Sequence, residues 1–276
     1  MKTVLMADAV RYPHMTTREL RASFLFEDLY QAGTIRLAYV DLDRTVVGMA
    51  VPLETALALP TSPELRAAYF TERRELGVLN IGGTGAVSAD GTTYELNNLD
   101  VLYIGRGNPD IRFQSKSNDA PAVFYLLSYP AHTSHPVALV RKKDAQPTEI
   151  GQLETCNRRT IYKYIHADGV KSCQLVMGVT HLHEGSVWNT MPPHTHMRRS
   201  EVYLYFDVAE AARVIHIMGP PDETRHLVLS NRDVVVSPGW SIHAGAGTQA
   251  YKFCWGMGGE NQDYADMDPA PIEFLR

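Results

Sequence analysis

His194-Thr-His-Met-Arg-Arg-Ser-Glu-Val-Tyr-Leu-Tyr-Phe206 is the stretch on which the reading of this chain turns. In extended backbone, side chains two apart share a face, so His194 and His196 can hold one ion together. Met197 to Ser200 is a polar link long enough to turn. From Glu201 the alternation starts a new strand, with Glu201, Tyr203 and Tyr205 on one face and Val202, Leu204 and Phe206 on the other. If Glu201 faces a barrel interior, the two tyrosines face it too. His243 follows the Ser237-Pro238-Gly239 turn and can close a site of three histidines and one carboxylate. Imidazole and carboxylate suit a borderline divalent ion such as Zn, Fe, Mn, Co or Ni. With four protein ligands, a catalytic ion needs a further position for substrate or water, so five- or six-coordination is expected.

Outward from this stretch the chain reads mostly as strands. Short runs rich in Val, Ile, Tyr or Phe recur between turn residues: Ile35–Val40, Leu76–Ile81, Ala122–Leu127, Cys173–Val179, Val202–Phe206, Val214–Met218, His226–Leu229, Asp233–Val236 and Lys252–Trp255. Ala89-Asp90-Gly91 has the composition of a hairpin turn. Helices are predicted only over Thr17–Leu29, capped by Thr16 or Thr17, and over Pro63–Phe70 after Ser62. Many short strands and few helices point to a mainly β protein, a sandwich or barrel.

Asp100-Val-Leu-Tyr-Ile-Gly and Asp233-Val-Val-Val-Ser-Pro-Gly echo one another about half a chain apart, as a duplicated barrel would. Polar Arg141–Glu154, with Pro147 and Gly151, is the best linker. The expected division is an N-terminal barrel over 1–145 and a C-terminal barrel over 146–276.

Composition bounds the function. The 276 residues carry 26 Lys+Arg against 31 Asp+Glu, a net charge of −5, with 45% hydrophobic and 21% charged residues. A chain of this length buries roughly three quarters of its unfolded surface, so its core needs no disulfide staple. Net acidity argues against nucleic acid as a partner, because that binding rests on many Lys/Arg–phosphate contacts. Cys156, Cys173 and Cys254 form no Cys-x-x-Cys pair, which leaves a thiolate metal site or redox motif unsupported. Met1–Val10 does not read as a signal peptide, and no apolar run approaches a membrane span. A cytoplasmic protein without a membrane partner is expected.

The spacing His194-x-His196-x4-Glu201, with Pro238 and His243 following, resembles the two short motifs of the cupin superfamily, small β-barrels with a metal in the mouth. The departures are specific: Trp188 stands where the first motif opens with Gly, the second motif's Gly is shifted to Gly239, and no Asn follows His243 at the usual spacing. Longer segments carry a closer resemblance. Glu72–Gly83, Asn157–Ile161, Trp188–His196, Glu223–His226, Trp240–His243 and Trp255–Gln262 together are similar to the 5-keto-4-deoxyuronate isomerase (4-deoxy-L-threo-5-hexosulose-uronate ketol-isomerase) family, in order from about Arg18 to Arg276.

That resemblance implies a bicupin that assembles as a homohexamer, with one zinc per subunit. It carries the ligands over to His194, His196, Glu201 and His243 and leaves the N-terminal barrel without a metal. The implied reaction is an aldose–ketose isomerisation of a small keto-deoxyuronate from pectin breakdown. Tyr203, Tyr205 and His226 are then the catalytic candidates, and a hydride shift needing no carbon base stays open. Arg198, Arg199 and Arg225 are candidates for the substrate carboxylate, since a guanidinium binds a carboxylate through paired hydrogen bonds; Arg158-Arg159 is a further basic pair. Trp188 and Trp240 are candidate pocket walls. A metal-dependent cupin dioxygenase and a non-catalytic sugar-acid-binding cupin are the rival readings.

Overall fold

A computed structural model describes residues 1–260 and 262–276; Asn261, within the Trp255–Gln262 stretch, lies outside the described residues. The chain forms two compact units that interleave in sequence. One comprises Met1–Val4, Asp28–Ala145 and Tyr164–Val176, and the other Leu5–Glu27, Gln146–Lys163 and Met177–Arg276. A border thus falls at 145/146, while two further segments belong with the unit formed mainly from the opposite part of the chain.

In the first unit a seven-stranded sheet runs, in spatial order, Lys2–Val4, Ile35–Val40, Val46–Ala50, Phe124–Pro130, Arg74–Asn80, Val101–Ile104 and Ala138–Val140. A four-stranded sheet, Leu57–Ala58, Ile111–Ser115, Gly85–Ala89 and Thr92–Leu96, packs against it. The interior is filled from both sheets by side chains such as Val46, Leu76, Val78, Val87, Phe113 and Phe124. Asp90 and Gly91, both at positive φ, make the two-residue hairpin turn between Gly85–Ala89 and Thr92–Leu96. The Tyr164–Val176 segment is tied in by Glu75, whose buried carboxylate accepts backbone N–H groups from Cys173, Gln174 and Leu175 at 2.6–2.8 Å. The Tyr103 hydroxyl also donates to Glu75.

The second unit repeats the plan. Its seven-stranded sheet runs Thr148–Ile150, Arg159–Ile165, Val176–Leu182, Lys252–Gly259, Arg199–Phe206, Val234–Ser237 and Leu25–Phe26. Its four-stranded sheet runs Trp188–Asn189, Ile242–Gly247, Val214–Gly219 and Arg225–Leu229. The echo in sequence is an echo in structure. Asp100 accepts the Asn97 N–H and Asp233 the Ser230 N–H, each after a residue at positive φ, Leu99 and Arg232. The strands that follow align so that Leu76 opposes Ile104 and Glu201 opposes Ser237. Leu76 therefore occupies in one barrel the register that Glu201 occupies in the other. The protein is mainly β, built of two cupin-type barrels.

Helix is scarcer than the sequence reading expects. The first helix is Thr17–Phe24, capped by Thr16 with Glu19 closing the capping box. It stops before Leu29 because Leu25–Phe26 pairs with Val235 and Val234 as an edge strand. Pro63–Phe70 is not one helix: Arg66 turns left-handed, leaving short 3-10 turns at Pro63–Leu65 and Phe70–Glu72.

Candidate metal centre

Three elements of the second barrel deliver the four candidate ligands. Glu201 comes from the seven-stranded sheet, His243 from the four-stranded sheet, and His194 from a short strand at 194–195 that pairs with Asp268–Pro269, with His196 just after it. Their ligand atoms all lie within 4.8 Å of one another. His194 Nε2 is 3.0 Å from the Nε2 atoms of His196 and His243. Glu201 Oε2 is 3.0 Å from His196 Nε2 and 2.9 Å from His243 Nε2.

The protonation states make this ring of atoms unusual. His196 Nδ1 lies 2.7 Å from the Asp266 carbonyl and 3.2 Å from Arg199 Nη2, which leaves Nε2 turned inward toward Glu201. Burial, reinforced by His243, pulls the His194 imidazole down to about 3 and keeps it neutral at pH 7. Burial alone would raise Glu201, but the flanking His243 and His196 hold it well below the usual carboxylate range. Three ring nitrogens and a carboxylate oxygen converging at such distances are a donor set that one cation can bridge. The set fits a divalent ion in its donor chemistry. It fits in spacing too: donors about 2.1 Å from a shared ion stand about 3.0 Å apart at right angles and about 3.4 Å apart in a tetrahedron. The observed edges of 2.9–3.0 Å match right-angled donors.

Beside the cluster opens a cavity of about 250 Å³. That is smaller than the roughly 300–1,000 Å³ typical of drug-sized ligands and suits a single sugar acid. Its walls are largely apolar, including Ile161, Met191, Phe253, Trp255 and Met257, with Thr180, Thr190, Tyr203 and Tyr264 adding hydroxyls. Gly178 makes room for Trp255, since a Cβ there would sit 2.1 Å from the indole.

The other predicted residues separate into two groups. Tyr203 lines the cavity, with its hydroxyl 3.0 Å from Thr190 Oγ1, and burial keeps its phenol protonated far above neutral pH. Tyr205 shares its face but lies deeper, its hydroxyl 2.7 Å from His216 Nδ1. His226 is exposed: it opposes Ile217, whose neighbour His216 faces inward, so alternation turns His226 away. Arg198 pairs with Asp266 and Asp268. Buried Arg199 donates to the Asp263 and Asp266 carbonyls. Arg225 donates to the Met15 carbonyl. None of the three lines the cavity. Trp240 packs edge-on against Tyr12 and Phe24 instead of walling the pocket, and Trp188 is also absent from its lining.

Arg159, half of the basic pair Arg158-Arg159, lines the cavity, as do Tyr264 and Trp255, which are not among the sequence-based candidates. Alternation held a usable signal for two of them. Arg159 and Ile161 share one strand face, as do Phe253, Trp255 and Met257.

Comparison with known proteins places this architecture. Residues 30–271 match the KduI/IolB family. The chain is 53% identical over 263 residues to a 4-deoxy-L-threo-5-hexosulose-uronate ketol-isomerase of Lachnoclostridium phytofermentans, covering 95% of each. It is 53% identical over 260 residues to one from Formosa agariphila, covering 94% of this chain and 93% of the relative. Among solved structures, an IolB-like protein from Salmonella typhimurium LT2 shares the fold at TM-score 0.70 and 14% identity, over 88% of this chain and 95% of that one. Lactobacillus farciminis oxalate decarboxylase does so at TM-score 0.60 and 11% identity, over 87% of each.

Proposed function

The chain belongs to the KduI/IolB family, and on that premise we propose that it catalyses the reaction for which its half-identical relatives are named. It is a ketol-isomerase that converts 5-dehydro-4-deoxy-D-glucuronate to 3-deoxy-D-glycero-2,5-hexodiulosonate, moving a carbonyl between adjacent carbons. The observation that carries this reading is a three-histidine, one-carboxylate cluster opening onto a cavity sized for one sugar acid, in a chain so close to those isomerases.

His194, His196, Glu201 and His243 hold one zinc ion per subunit. When bound, the ion supplies Lewis-acid polarisation of a carbonyl and tolerance for negative charge on two vicinal oxygens. Tyr203, protonated and facing the cavity beside His243, donates a hydrogen bond to a substrate oxygen at the reacting end. Its in-phase neighbour Tyr205 is held against His216 and buttresses it. The apolar walls restrict water around the reacting carbons. The natural setting is polyuronate breakdown in the cytoplasm, by a homohexamer. Among the described residues, no helix is long and apolar enough to cross a membrane.

The test is turnover of freshly generated 5-keto-4-deoxyuronate without oxygen, before and after chelation, on protein whose metal content is measured. Product should form anaerobically, vanish with the metal and return with zinc. His243→Ala should bind well under one metal per chain and be inactive. Oxygen uptake in place of isomerisation, or full metal retention by the variant, would overturn the reading.

A further inference from the structure

The proposed substrate is an anion and the chain carries a net charge of −5, so the cavity needs its own cation to hold a carboxylate. Among the described residues, one lysine or arginine lines it: Arg159. The three arginines nearest the ligands in sequence, or flagged with them, are otherwise engaged, Arg198 by two aspartates and Arg199 and Arg225 by backbone carbonyls. Arg159 is half-buried and gives one Nη1 hydrogen bond, 2.8 Å to the Asn157 carbonyl. Among the described residues no carboxylate stands within ion-pair distance of it. A partly desolvated guanidinium lined by apolar groups and hydroxyls gains from an incoming carboxylate, which it can grip with two parallel N–H donors.

Its place in the sheet adds the second observation. The Arg159–Ile165 strand lies three strands from Arg199–Phe206 across the same sheet. At about 4.8 Å per step the two backbones are roughly 14 Å apart. Arg159 and Glu201 both line the cavity from that sheet, on strands three steps apart. A ligand with a carboxylate at one end and a carbonyl at the other matches that arrangement.

We propose that Arg159 anchors the carboxylate of the substrate, fixing a six-carbon keto-uronate so that its carbonyl end meets the His194, His196, Glu201 and His243 cluster. This rests on the isomerase reading above and adds the residue that makes the enzyme specific for uronates over neutral sugars. Arg159 acts in binding and takes no part in the proton or hydride movement.

The experiment uses full-length, metal-loaded wild type, Arg159→Met and Arg159→Lys, with metal content measured on each. Arg159→Met should raise KM for 5-keto-4-deoxyuronate about 100-fold, the usual effect of deleting one side of a buried charge pair. Its kcat should change little, and its metal content not at all. Arg159→Lys should recover part of the loss as a point charge without the paired donors. In a thermal-shift assay the wild type should be stabilised by D-glucuronate and not by D-glucose, and Arg159→Met should lose that distinction. A KM within twofold of wild type in Arg159→Met, or D-glucuronate stabilisation that survives the change, would overturn the anchor. If wild type fails to turn over 5-keto-4-deoxyuronate at all, the isomerase reading falls, and the D-glucuronate and D-glucose pair still decides whether Arg159 is a carboxylate site.

Discussion

Asp233 shows how a single buried carboxyl registers pH. It is 5% exposed, and burial lifts its pKa from 3.8 to about 6 despite the hydrogen bond it accepts from the Ser230 N–H. The folded state therefore keeps a proton that the unfolded chain releases above about 3.8. Its favourable contribution is complete below that value and is lost as pH rises through about 6. Asn at 233 retains an acceptor for Ser230 and has no charge to desolvate. Asp233→Asn should be more stable than wild type by about 1–3 kcal/mol at pH 8 and show no advantage at pH 4. Urea unfolding at both pH values checks this, and an equal difference at the two would refute it.

Among the elements, the segment from Asp263 to Asp268 braces the candidate metal centre from outside. Arg198 clamps it through Asp266 and Asp268, Arg199 holds two of its carbonyls, and its Asp266 carbonyl meets His196 Nδ1. Outer partners of metal-bound histidines are typically worth 10–100-fold in metal affinity. Arg198→Ala should therefore weaken zinc retention about 10-fold or more in a chelator competition while leaving the four ligands intact. Unchanged competition would show that the clamp does not govern the site. This dependence was hidden in the sequence because the aspartates lie about seventy residues from Arg198. Adjacency to the ligands made Arg198 and Arg199 look like substrate contacts, whereas their partners make them fasteners. The strands were legible because β-branched and aromatic runs report burial on a pleated surface. The end of the first helix was not, since Leu25 and Phe26 continue an apolar pattern and only their pairing with a distant strand turns them extended. The convergence of His194, His196, Glu201 and His243 was legible because each stands near a turn or on a strand whose alternation fixes its direction.

For the whole molecule, the same topology is folded twice and its two interiors are put to different use. One barrel fills its interior with a cluster of apolar side chains from both sheets. The other gathers three imidazoles and a carboxylate beside a cavity. Where Glu201 stands in the second, the first has Leu76 in the same register. Leu76 shows that an apolar side chain fits this register, and it incurs none of the desolvation cost of a buried carboxylate. Metal-free Glu201→Leu should accordingly melt no lower than metal-free wild type while losing zinc binding. A Tm several degrees lower would show that the carboxylate also braces the fold.

The Leu76–Glu201 correspondence means that the chain contains its own blank. Any effect traced to the cluster can be compared with a sibling scaffold that was synthesised, purified and handled in the same polypeptide. A probe that reacts equally with both barrels is reporting the architecture, and one that distinguishes them is reporting the chemistry.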